Sequence, residues 1–140
     1  MVLASELRLT PPPGYTTPPF PSLYNPHPSS TSQPKFLYHT SDAIRFTLLW
    51  TLIVYAGFHL ASGVYGLILR PSRVGAAGFA VIFTLVGGIE AALAGSVVGV
   101  LLAAVYSAGY FEMSTWIPLV WAVINVLVLV LSSFSLQGGL

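Results

Sequence analysis

The sequence predicts an all-α integral membrane protein, in which a disordered Pro-rich N-terminal tail over residues 1–43 precedes a three-helix transmembrane bundle over residues 44–137. Three observations predict it. Charged residues are only 6% of the 140-residue chain, hydrophobic residues reach 55% and the mean hydropathy is +0.81, whereas a small soluble fold cannot keep that much apolar surface from water. Apolar stretches long enough to cross a bilayer recur three times after residue 43. Nine of the 11 prolines fall between Pro11 and Pro34. The chain has no Cys, which excludes disulfides, thiolate catalysis and Cys-based metal centres. A formal net charge of +1 offers no electrostatic footprint for nucleic acid.

In the tail, proline fixes φ, removes amide donors and drives the preceding residue out of the helical region, so polyproline II character without a stable fold is expected. Glu6, Arg8 and the prolines interrupt any apolar run near Met1, so no signal peptide is read there and the first membrane helix must itself act as the targeting signal. The first span, residues 44–69, supplies roughly 39 Å of helix at 1.5 Å per residue, against a core of about 30 Å. Ser41 and Asp42 are its N-cap candidates, and Arg70-Pro71-Ser72-Arg73 ends it with charge and a helix breaker. The second span, residues 76–106, would run about 46 Å, too long for one straight crossing and too short for two. It reads as one tilted or kinked helix with Gly87-Gly88 as the bend. The third span, residues 116–136, carries Pro118 in its first turn, where a missing amide is tolerated.

Three spans place the termini on opposite faces. The basic residues nearly balance, with Arg70 and Arg73 on one side and Lys35 and Arg45, offset by Asp42, on the other. The two arginines at helix ends favour a cytosolic first loop.

Within the second span, Gly87, Ala91, Gly95, Gly99 and Ala103 recur every four positions, and Gly95 and Gly99 form a GxxxG. Such a face lets backbones approach closely where lipid supplies no hydrophobic drive for association. It serves either packing within the chain or association with a second copy or another membrane protein. A parallel row at Gly88, Ala92 and Ser96 widens it.

Among the polar residues within the spans, Glu90, His59 and Asn125 stand out. Glu90 near the bilayer centre costs roughly 2.5–3.5 kcal/mol if charged, so it must be neutral, paired or beside a polar cavity. It reads either as a bundle-stabilising acid, with His59, Tyr55, Asn125 or Ser96 as partner, or as a proton or cation site. His59 lacks a second intramembrane His for haem ligation and reads as a hydrogen-bonding group. Asn125 is expected to bond between helices. Trp50, Trp116, Tyr106 and Tyr110 include interfacial anchors. No catalytic residue, metal site or cofactor is implied, since no nucleophile or phosphate loop accompanies the lone acid and imidazole.

The tail holds one recognition motif, Pro12-Pro13-Gly14-Tyr15, a P-P-x-Y sequence of the kind WW domains bind in polyproline II form. It has meaning only on a cytosolic N-terminus, where it would make the protein an adaptor for a WW-domain ubiquitin ligase. Thr10-Pro11 and Thr17-Pro18 are phosphorylation candidates under the same condition.

The ordered set Trp50, Phe58-His59, Ser62-Gly63, the Arg70 loop, Gly87, Gly95, Val105-Tyr106, Ala108-Gly109 and Glu112-Met113 resembles the TMEM170 family of small three-span membrane proteins. The resemblance covers about residues 44–137 and leaves the Pro-rich tail, of a fungal-like kind, outside. Glu90 falls where the family does not require an acid, and the tail has no Asn-x-Ser/Thr acceptor. The resemblance implies an endoplasmic reticulum or nuclear-envelope protein with a lumenal N-terminus, concerned with membrane shape and nuclear pore formation, and no catalytic residues.

Overall fold

In the computed structural model the described residues are 11–27, 33, 35–69 and 73–138. Three helices among them are long and apolar enough to cross a membrane, and the protein is a multi-pass integral membrane protein. Helix α1 is Thr40–Leu69, α2 is Arg73–Ala108 and α3 is Trp116–Gly138. Arg70, Pro71 and Ser72 lie outside the described residues.

Helix ends explain where the expected boundaries moved. Helix α1 opens at Thr40 because the His39 carbonyl accepts from the Asp42 and Ala43 amides, both at 3.1 Å. Ser41 and Asp42, expected as caps, therefore sit inside the first turn, where the Asp42 charge opposes the positive end of the helix dipole. Helix α2 runs as one helix through Gly87-Gly88. It closes in a Schellman motif: the Phe111 amide donates to Tyr106 O at 3.0 Å and the Tyr110 amide to Ser107 O at 3.3 Å. The left-handed residue of that motif is Tyr110, at φ 55°, rather than Gly109.

Helix α1 lies between the other two, packing extensively on α2 and less on α3, while α2 and α3 scarcely touch. At 36 residues, α2 would measure about 54 Å and must project beyond a ~30 Å hydrocarbon core. Its C-terminal end carries a cap. Strand β1, Phe36–Leu37, pairs antiparallel with β2, Met113–Ser114, with Phe36 opposite Ser114 and Leu37 opposite Met113. Beneath this pair Leu37, Ala43, Phe46, Leu102, Ala103 and Met113 form a buried cluster. Outside the hydrocarbon core the hydrophobic effect can hold such a cluster together as it does in a soluble protein, whereas helices packed in lipid need no such core.

Residues 11–27 hold neither helix nor strand, in keeping with their prolines. They are nonetheless seated on the bundle as a strap, an arrangement the proline count does not reveal. The Phe20 ring packs 5.4 Å from Phe46 and 5.1 Å from Trp50. Thr115 donates its hydroxyl to Ser22 O at 3.0 Å, and the Trp116 indole donates to Tyr24 O at 2.8 Å. Tyr24 and Ser114 share a hydroxyl–hydroxyl bond of 2.9 Å. Trp116 thus anchors strap to helix through its one donor.

Candidate functional site

Helix α1 carries a stripe at intervals of four, Ala43, Thr47, Thr51, Tyr55, His59 and Gly63, all buried. It meets the small-residue stripe of α2. A Cβ added at Gly99 would lie 3.4 Å from Thr47 Cβ and 3.1 Å from the Ile44 backbone. One at Gly95 would lie 3.0 Å from Thr51 Cβ and 3.1 Å from Leu48 Cα. Ala91, fully buried, shares a cluster with Tyr55, and Ala103 shares one with Ala43. The Gly95/Gly99 face offered above to a second copy or a membrane partner is therefore filled by α1 of the same chain. The row at Gly88, Ala92 and Ser96 does not widen that contact; it is exposed. Thr47 and Thr51 can sit in so tight a contact because each hydroxyl donates to a carbonyl one turn back, Ala43 O at 2.8 Å and Thr47 O at 2.7 Å.

Gly87 does something different from the rest of its stripe. A Cβ there would fall 2.4 Å from His59 Cδ2, so the missing side chain is the slot that admits the imidazole. The ring stacks on Tyr55 at 6.0 Å, lies 4.7 Å from Phe83 and is buried. Its Nδ1 bonds the Tyr55 carbonyl at 2.9 Å. A carbonyl only accepts, so Nδ1 carries the proton and Nε2 is left to face Glu90. Nε2 and Glu90 Oε2 are 3.7 Å apart, with the Glu90 side chain 43% exposed. Of the four partners expected for Glu90, the structure brings His59.

Asn125 departs from expectation. Its backbone carbonyl, not its side chain, takes the interhelical bond, from the Tyr55 hydroxyl at 3.3 Å. The Asn125 Nδ2 is buried without a hydrogen-bond partner. His59 of α1 and Glu90 of α2 line a cleft of about 360 Å³ between α2 and α3, together with apolar side chains and Ser62, Ser132 and Ser133. The cleft exists because α2 and α3 diverge across α1.

The P-P-x-Y motif is folded as a turn, with Pro12, Pro13 and Gly14 exposed and Tyr15 half-buried. The Tyr15 amide donates to Pro12 O at 2.9 Å and Gly14 has φ +82°, which makes Pro12–Tyr15 a type II turn rather than a polyproline II segment. The Tyr15 hydroxyl is spent on Phe36 O at 3.0 Å, and its ring packs edge-on to Tyr38 at 4.8 Å. Burial pushes the Tyr15 hydroxyl pKa above its ordinary 10.0. Tyr38 is raised likewise, by burial and by its 2.9 Å hydrogen bond to Glu112. Thr17, a phosphorylation candidate, donates to Asp42 Oδ2 at 2.7 Å. Thr10 lies outside the described residues.

Comparison with known proteins decides the family. The profile described as "Transmembrane protein 170A/B-like" matches residues 36–140. The chain belongs to this family. A relative in Saccharomyces cerevisiae (strain ATCC 204508 / S288c), "Uncharacterized protein YPR153W", is 41% identical over 128 residues, covering 91% of each chain. The family match begins at β1, earlier than the resemblance drawn from isolated residues. The yeast similarity covers too much of the chain to leave the whole Pro-rich segment out. No solved structure matches.

Two features escaped the sequence. The α1 stripe was concealed by its mixture of Thr, Tyr and His, although its spacing of four was present to be counted. Gly87's pairing with His59 left no local sign.

Proposed function

We propose that this family member is a non-enzymatic protein that organises the shape or assembly of endoplasmic reticulum and nuclear-envelope membrane, with its N-terminus lumenal. The observation supporting this reading is the asymmetry of the bundle. Strap, β1–β2 pair and their buried cluster all sit at the end shared by the α1 and α3 N-termini, so cross-section is added at one membrane face. A protein wider in one interface than in the other spreads the headgroups on that side and favours curvature. In support, the close-packing face is consumed inside the chain and the Tyr15 hydroxyl of the strap is bonded to Phe36 O.

The test is reconstitution into vesicles of uniform starting size. The protein should shift vesicle diameter in proportion to its density, and Phe20→Ala with Tyr24→Ala, which release the strap, should reduce the shift. Unchanged diameters at all densities would reject the reading. A glycosylation acceptor introduced near Ser29 should be modified if the N-terminus is lumenal, and protease protection should agree.

A second reading has one observation in its favour. The His59–Glu90 pair lines a cleft, as a proton or cation site would. Proton or cation flux in reconstituted vesicles that Glu90→Gln stops without unfolding would favour transport.

A further inference from the structure

The cleft between α2 and α3 offers a pattern of hydrogen-bonding groups that narrows what can occupy it. Because Nδ1 of His59 is committed to the Tyr55 carbonyl, the pair is electrically neutral in two proton arrangements. Either Glu90 is protonated and Nε2 bears a lone pair, or Nε2 is protonated and Glu90 is ionised. In both, the pair presents one donor and at least one acceptor. At 3.7 Å the two atoms are too far apart to satisfy each other directly, since such bonds run to about 3.2 Å. A third arrangement, ionised Glu90 beside neutral His59, leaves an uncompensated charge within the bilayer and is disfavoured.

A hydroxyl matches a donor and an acceptor on a single atom, small enough to sit between Nε2 and Oε2. An ammonium only donates and a phosphate only accepts, and each brings a charge to a neutral pair. His59 lies ten residues before the end of α1, about 15 Å in, where a charged headgroup pays heavily for burial and an uncharged one does not. Phe58, Phe83 and Val86 line the walls, and Phe58 and Val86 are about half exposed. The body of such a ligand is therefore apolar.

From these features we infer that the cleft binds an uncharged lipid bearing a free hydroxyl, whose head bridges Glu90 and His59 while its apolar body lies along Phe58, Phe83 and Val86. A sterol and a diacylglycerol share this chemistry. The inference needs only a bundle that spans the bilayer and is independent of the membrane-shaping reading.

The experiment uses the full chain in phosphatidylcholine vesicles that contain a photoactivatable, alkyne-tagged sterol in one arm and a similarly tagged diacylglycerol in the other. Saturable crosslinking in at least one arm should map to segments around Phe58, Phe83 or Val126, and the arm that labels identifies the source. Unlabelled lipid of the same class should compete, whereas its methyl ether, which cannot donate, should compete about tenfold more weakly, the effect of one lost hydrogen bond in a desolvated site. Val86→Trp, which fills the cleft from a half-exposed position, should suppress labelling, and Ile89→Trp on the outward face should not. Because Glu90→Leu risks the fold, Glu90→Gln accompanies it: the amide still donates and accepts, so labelling should persist in Gln and fall in Leu. Non-saturable labelling in both arms, indifference to Val86→Trp, equal competition by the ether, or stronger competition by an alkylamine would each overturn the inference.

Discussion

Replacing Gly87 by alanine would set a methyl carbon 2.4 Å from His59 Cδ2, 2.5 Å from Cγ and 2.6 Å from Nδ1, about 1 Å inside ordinary contact. Relief requires the imidazole to rotate, breaking its bond to the Tyr55 carbonyl, or α1 and α2 to separate along a stripe where Gly95 and Gly99 already touch backbone. Overpacking of this kind costs roughly 1–3 kcal/mol and a lost hydrogen bond about 1 kcal/mol. The better helix propensity of Ala returns about 1 kcal/mol, leaving a net destabilisation of about 2 kcal/mol. Gly88 is the internal control. A Cβ there meets nothing within 4 Å, so Gly88→Ala should stabilise by roughly 0.5–1 kcal/mol. Equilibrium unfolding in bicelles, titrated with denaturing detergent, would measure both. Adding His59→Ala to Gly87→Ala removes the clashing ring and should recover most of the loss relative to His59→Ala alone. Equal effects of the two alanines, or no coupling to His59, would refute the slot.

Three further outcomes follow from the same geometry. Leu at both Gly95 and Gly99 should separate α1 from α2 and cost more than Gly87→Ala, read as lower thermal stability of the monomer in detergent rather than as loss of a dimer. Tyr110→Gly should stabilise by about 1 kcal/mol, because glycine takes the left-handed position of the α2 C-terminus without strain, as thermal unfolding would show. With folded-state pKa values raised above 10.0, Tyr15 and Tyr38 contribute docking stability that is complete below pH 10 and lost as pH rises through those higher values; fluorescence transfer between a strap label and the bundle should fall over that alkaline range, and Tyr15→Phe should weaken docking already at neutral pH.

How much of this was legible beforehand differs from element to element. The spans could be read because a helix in lipid must satisfy its backbone polar groups internally, a local demand that any sufficiently long apolar run meets. Pro118 in the first turn of α3 and the low helix content of the tail are equally local. The Glu90–His59 pairing was foreseeable because few polar side chains occupy the spans and each needs a partner there. Which surface the Gly95/Gly99 stripe meets was a different kind of question, since lipid and a neighbouring helix are alike to an apolar face.

The sequence by itself determined that this chain enters a membrane, where it crosses and how many times, because transfer from water to hydrocarbon is summed residue by residue along the chain. Tertiary structure decided that the small-residue stripe closes on α1, that Gly87 is a pocket for an imidazole, that Asn125 bonds through its backbone, and that the Pro-rich segment folds back as a strap. Those outcomes depend on groups far apart in sequence, such as Tyr24 against Trp116 and Ser22 against Thr115. Their free energies come from close contact and directional hydrogen bonds, which act only once the helices have set the distances.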